Sequence, residues 1–89
     1  MADTIFAADA FAEYVEWQTN DKKLCHKINT LLKDIQRNGY LSGLGKPEAL
    51  KGRNAYSRRI DDYHRLVYED VGKGNVRILS CKGHYENWD

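Results

Sequence analysis

The sequence predicts an α+β domain in which two N-terminal helices pack on a small, mainly antiparallel twisted sheet. Three observations carry that prediction. Up to Gly39 the apolar residues recur at helical spacing. From Ala55 onward they recur at every second position, and the connections between those later segments are short enough to make neighbouring strands antiparallel. At 89 residues the chain is expected to be a single domain, residues 1–89, with no room for a second catalytic unit.

Taken in order, Thr4-Ile5-Phe6 is a short apolar piece that reads as an edge strand. Between Asp9 and Thr19, Phe11, Tyr14, Val15 and Gln18 fall on one helical face, which predicts the first helix. Thr19-Asn20-Asp21 then offers side-chain oxygens for an N-cap. Leu24, Ile28, Leu31, Leu32 and Ile35 carry a second helix as far as Gly39. Opposite that apolar row, Lys22, His26, Asn29, Lys33 and Arg37 form a stripe that reads as a solvated face, with docking on phosphates as the alternative. Glycines at 39, 43, 45 and 52 mark residues 39–54 as a loop, in which Pro47 to Lys51 is expected to form a short helical turn. Ala55–Ile60, His64–Asp70 and Val76–Lys82 then read as three strands of a meander.

Hydrophobic residues make up 42% of the chain and charged residues 30%, a balance that excludes disordered and fibrous classes. No apolar run approaches the roughly 20 residues that span a bilayer, and the first residues lack the pattern of a secretory signal, so a cytoplasmic location is expected. Cys25 and Cys81 have no metal-like or redox-like spacing and are expected to be reduced and buried. The net charge of +1 hides an asymmetry. Residues 46–85 hold nine cations against five anions, which points weakly toward an anionic partner.

If the first hairpin is centred on Asp62, Arg59 lies across from Arg65, and two guanidinium groups share one sheet face. Like charges directly opposed are unfavourable unless an anion sits between them. Glu48 and Lys51 lie in the loop before this sheet, and His84 and Tyr85 follow its last strand. A carboxylate, an imidazole and a cluster of cations are the set needed to cleave RNA without a metal. A base takes the 2′-hydroxyl proton, cations stabilise the charge gathering at phosphorus, and an acid protonates the departing 5′-oxygen. No metal-ligand spacing competes, no glycine-rich phosphate loop is present, and Ser57 and Ser80 lack a nucleophile context, so no cofactor is expected.

The chain resembles the YoeB/Txe toxins of bacterial toxin–antitoxin modules, within the RelE-like superfamily, whose fold is related to that of microbial RNases. The likeness is carried by Tyr14-Val15-Glu16-Trp17-Gln18, Asp21-Lys22-Lys23, Lys27-Ile28-Asn29, the run from Gly45 to Lys51, Tyr56-Ser57-Arg58-Arg59-Ile60, His64-Arg65-Leu66-Val67-Tyr68 and His84-Tyr85. The resemblance implies a metal-independent endoribonuclease that enters the ribosomal A site and cuts the mRNA codon there. It implies neutralisation by a YefM/Phd-type antitoxin, contact with operator DNA only through the antitoxin complex, no membrane association, and allows a homodimer. By that resemblance Glu48 is the general base, His84 the general acid and Arg65 the main phosphate stabiliser. Arg59 and Lys51 are supporting cations, Lys46 contacts backbone, and Tyr85 is the closing aromatic that orients RNA. Two features depart from the family pattern: the tail at residues 86–89, which adds two carboxylates after His84, and Arg53-Asn54-Ala55-Tyr56 in place of the family's aromatic and polar residues. The alternatives are a non-catalytic RNA- or ribosome-binding module of the same fold, and a co-repressor acting with its antitoxin.

Overall fold

In the computed structural model, which describes residues 2–84, strand β1 (Thr4–Phe6) leads through helices α1 (Ala8–Asn20) and α2 (Lys22–Asn38) to four further strands: β2 (Glu48–Ala49), β3 (Ala55–Arg59), β4 (Arg65–Asp70) and β5 (Val76–Ser80). They form one five-stranded sheet in the order β1-β5-β4-β3-β2. β1 runs parallel to β5, and every other pairing is antiparallel. The architecture is the α+β arrangement read from the sequence. Among the described residues no helix is long and apolar enough to cross a membrane.

Asp21 alone joins the two helices. Its N–H donates to the Trp17 carbonyl and closes α1, while its carboxylate accepts from the Leu24 amide at 3.1 Å and opens α2. A single residue serves both ends because its extended backbone turns the chain, and its short acidic side chain reaches back to an unpaired amide of the first turn. α2 lays Leu24, Ile28, Leu31 and Ile35 on the sheet against Ile60, Leu66, Tyr68, Val76 and Ile78. Gly39 ends it at φ 87°, donating to the Ile35 carbonyl.

Residues 47–51 do not form the expected helical turn. Glu48 and Ala49 extend as an edge strand, pairing with Ser57 and Tyr56. The Gly45 carbonyl accepts from the Arg59 amide at 2.6 Å and the Leu50 amide donates to Ala55, so the ladder runs past both ends of β2. Proline and glutamate suit a first helical turn in isolation, but here the free edge of β3 supplies backbone partners that a single turn could not.

The loop before β2 owes its shape to Arg58, which is fully buried. Nε donates to the Tyr68 hydroxyl (2.9 Å). Nη1 donates to Asp34 (2.5 Å) and the Leu44 carbonyl (2.9 Å), and Nη2 to the carbonyls of Gly39 and Ser42 (both 2.8 Å). All five guanidinium N–H groups are thereby used. The Asp34 carboxylate also accepts from the amide of Leu44 and from Asn38, and the Tyr68 hydroxyl passes its own proton to the Tyr40 carbonyl. Gly43 sits at φ 112°, with the Asp34 carboxylate where a Cβ would have to go.

Replacing Arg58 by Ala should lower unfolding stability by about 3–5 kcal/mol, because it strands a carboxylate and three carbonyls. Urea denaturation followed by circular dichroism measures the loss, and Arg58→Lys should recover little of it, since an ammonium cannot reach five acceptors at once. The amide of Leu44, together with Arg58 and Asn38, outweighs burial and holds the Asp34 carboxyl below its usual value of 3.8. A depressed native value means stability that is complete above about pH 4 and lost as pH falls further. The urea midpoint should therefore drop as pH falls below about 4, and Asp34→Asn should flatten that drop.

Candidate functional site at the helix-free end of the sheet

Leu66 and Tyr68 belong to the core beneath the helices, so their neighbours on β4 face the other way. On that helix-free side Leu50, Ala55, Val67 and Leu79 form a small apolar cluster. Ladder partners share a face, so Glu48, Ser57 and Val67 form one row across β2, β3 and β4, and Arg59 opposes Arg65 in the next. Two residues of strand separate the rows, about 7 Å. The opposition of the two arginines read from the sequence is therefore present, with the predicted register.

How the pair is tolerated shows in what each side chain meets. Arg59 is exposed, whereas Arg65 is buried and donates from Nη1 to the carbonyls of Asp61 (2.9 Å) and His64 (3.1 Å). The Asp61 carboxylate lies close by. Burial works against its charge, but the amides of His64 and Tyr63, helped by the Arg65 guanidinium, win and hold Asp61 below the usual carboxylate range. A restrained guanidinium beside an exposed one suits an anion that bridges two positions.

His84 reaches the same end of the sheet by another route. β5 carries a bulge in which Tyr68 pairs with Ile78 and Val67 with Ser80, leaving Leu79 as the extra residue. Beyond it, α1 grips the chain. Glu13 accepts from the Ser80 hydroxyl (3.2 Å) and the Cys81 amide (2.8 Å), and Trp17 Nε1 donates to the Cys81 carbonyl (2.9 Å). The Gly83 carbonyl then accepts from the Arg65 amide at 2.9 Å, which sets His84 beside Arg65, with its ring 6.2 Å from that of Tyr63.

The structure thus places Glu48, Arg59 and Arg65 on the helix-free face of the sheet and brings the His84 backbone to the Arg65 end of β4. Lys46, at φ 51°, follows the Gly45 carbonyl that pairs with Arg59, and so joins them. Lys51 does not. It occupies the tip of the β2–β3 hairpin, beyond the Leu50–Ala55 pair and at the opposite end from Arg59. Tyr85 and the tail at residues 86–89 lie outside the described residues. No group of three or more His, Cys, Asp or Glu side chains placed to hold a metal occurs among the described residues. A groove of about 350 Å³ lined by Phe6, Tyr14, Asn29 and Leu32 lies on the helical side and touches none of these residues. Sequence reasoning did not find Arg58, Asp34, Glu13, Trp17 or His64. The isolated Asp34 on an otherwise basic helix face was the one visible signal.

The fold and site together define a small two-helix, five-strand protein with a cationic, histidine-bearing sheet end. Solved structures share the fold: a YoeB dimer from Staphylococcus aureus is 51% identical, covers 94% of this chain and 98% of its own, and superposes with a TM-score of 0.87. A heterotetrameric YoeB–YefM toxin–antitoxin complex from the same species gives 50% identity, coverage of 96% and 99%, and a TM-score of 0.86. Toxin YoeB of Streptomyces coelicolor is 43% identical over 82 residues, 90% of this chain and 95% of its own length. The sequence profile described as YoeB-like toxin of bacterial type II toxin-antitoxin system matches residues 6–85. The chain belongs to this toxin family.

Cys25 and Cys81 are both buried free thiols, and burial, with Glu13 and Cys25 nearby, pushes the Cys81 thiol up to about 12. A thiolate is the reactive form. Ellman's reagent at pH 8 should therefore leave Cys81 unmodified in the native protein over minutes and titrate it at once in urea. Rapid native labelling would show that the Ser80–Gly83 segment opens readily.

Proposed function

We propose that this chain is a ribosome-dependent mRNA endoribonuclease, the toxin of a type II pair, that cuts the A-site codon by metal-independent acid–base chemistry. The observation that carries this reading is that Glu48, Arg59 and Arg65 share the helix-free sheet face while the Gly83–Arg65 backbone bond brings His84 to the same end of β4. Glu48 takes the proton from a 2′-hydroxyl, and the oxygen attacks the adjacent phosphorus. Arg65 and Arg59 stabilise the equatorial oxygens, and His84 protonates the 5′-oxygen as its bond to phosphorus breaks. Lys46 adds a backbone contact and Tyr85 a stacking surface, while Lys51 serves RNA further along the hairpin. The YefM-bound staphylococcal toxin supports an antitoxin of that type as partner, and the dimeric one supports self-association. Operator DNA would be met through the antitoxin complex, and the cytoplasm is where translating ribosomes are.

The ribosome enters the proposal because holding RNA for in-line attack can supply roughly 7–11 kcal/mol when done well. An open sheet end with exposed Glu48 and Arg59 holds little RNA by itself. The A site already presents the codon, and exposed Lys22, Lys33 and Arg37 on α2 give the domain a second, salt-sensitive surface for ribosomal RNA.

Purified toxin added to a translation reaction should leave 2′,3′-cyclic or 3′-phosphate ends with 5′-hydroxyl partners, detectable by primer extension and end-labelling. Glu48→Gln and His84→Gln should each abolish cleavage with the circular dichroism spectrum unchanged. Arg65→Ala should remove on the order of 2–4 kcal/mol of transition-state stabilisation. A 5′-phosphate product would refute the chemistry, and equal rates on naked and translated message would refute the dependence on the ribosome.

Reversing Lys22, Lys33 and Arg37 to Glu should weaken ribosome binding several-fold at low salt and leave the urea midpoint nearly unchanged. Cosedimentation with ribosomes measures the first effect. Unchanged affinity would return the stripe to a solvated helix face.

A further inference from the structure

Where the β4–β5 ladder stops, a side chain continues it. The last ladder pair is Val67 with Ser80, yet the Arg65 amide still donates to the Gly83 carbonyl, and the Gly83 amide donates in return to Nδ1 of His64 at 2.9 Å. An imidazole thus stands where a strand would offer a carbonyl. Accepting a main-chain N–H requires a lone pair on Nδ1, which fixes His64 as the neutral ring with its proton on Nε2. The ring has little freedom to leave that position. Trp17 meets it edge-to-face with centroids 5.0 Å apart, Tyr63 does so at 5.3 Å, and the Asp61 carboxylate holds the His64 amide at 2.6 Å.

Gly83 is the residue before His84, and it turns the chain at φ 83°. Its two backbone bonds, one to His64 and one to Arg65, set the direction in which His84 leaves the sheet. We infer that His64 is a positioning residue for His84, its neutral imidazole acting through the Gly83 amide to aim the proton donor at the leaving oxygen. The inference rests on the proposed reading of His84 as the general acid. A displacement of about 1 Å can cost on the order of a hundredfold in rate, so an intact acid on a loosened Gly83 would still fail.

Two substitutions separate the acceptor from the ring. His64→Asn places a carbonyl oxygen close to the position of Nδ1, whereas His64→Leu keeps the bulk and removes the acceptor. Each is assayed in single-turnover cleavage of A-site mRNA carrying either oxygen or sulfur as the 5′-bridging atom, since a departing thiolate needs no proton. His64→Leu should be slower by on the order of ten- to a hundredfold on the oxygen substrate and close to wild type on the sulfur substrate. His64→Asn should stay within a few-fold of wild type on both. In the free protein the Gly83 amide should be protected from hydrogen exchange in wild type and His64→Asn, and exposed in His64→Leu. Equal slowing of His64→Leu on both substrates, a His64→Asn as impaired as His64→Leu, or unchanged Gly83 protection in His64→Leu would overturn the inference. His84→Ala tells the two layers apart. If sulfur restores His84→Ala but not His64→Leu, the inference alone falls; if sulfur restores neither, the assignment of His84 as acid falls and takes the inference with it. Should His64→Leu not fold, rapid exchange at Gly83 in the wild-type protein overturns the inference by itself.

Discussion

Arg58 is the constraint on which the rest of the arrangement depends. Its guanidinium lies beneath residues 39–45 and spends every N–H on a partner: one carboxylate from α2, one hydroxyl from β4 and three carbonyls of the loop. A buried ion pair of this kind adds little net stability over an apolar replacement, because desolvating both charges offsets most of their attraction. What it does supply is a single geometry. Loop carbonyls that have no strand to pair with find their donors in one rigid fork, so the loop can close only one way and delivers Gly45 to the Arg59 amide. β2 continues from there, and Glu48 with it.

A second grip works from the opposite side. Glu13 and Trp17 of α1 hold Ser80 and Cys81 after the bulge in β5, and His64 and Arg65 hold Gly83. The carboxylate and the imidazole of the proposed chemistry thus arrive from separate segments, each fixed by polar contacts outside the reacting face. Between them the opposition of the two arginines is set by ladder register, the least negotiable feature of a hairpin whose other face is buried, and Arg65 is further held by the carbonyls of Asp61 and His64. The consequence is a site whose cations sit at the ends of the inner strands β3 and β4 and whose proposed acid and base sit on clamped flanking segments. Exposed groups such as Glu48 and Arg59 remain open to a large, strongly charged ligand.

Local pattern determined both helices, a cap within Thr19-Asn20-Asp21, three strands and the Arg59–Arg65 opposition, because each depends on residues close in sequence and on the need to bury one face. The likeness to YoeB/Txe toxins supplied the candidate site residues and their roles, which spacing could only have grouped. The tertiary structure decided what local pattern cannot hold. Pro47 to Lys51 became an edge strand because β3 offered it partners, and Lys51 moved to the hairpin tip as a result. Arg58 and Arg59 look alike in the chain, yet strand alternation turns one to the core and the other to solvent, and only the loop folded over Arg58 decides which. His64 was legible as a hairpin residue and not as an acceptor for Gly83, since the two lie nineteen positions apart and are brought together by the ladder and not by any spacing.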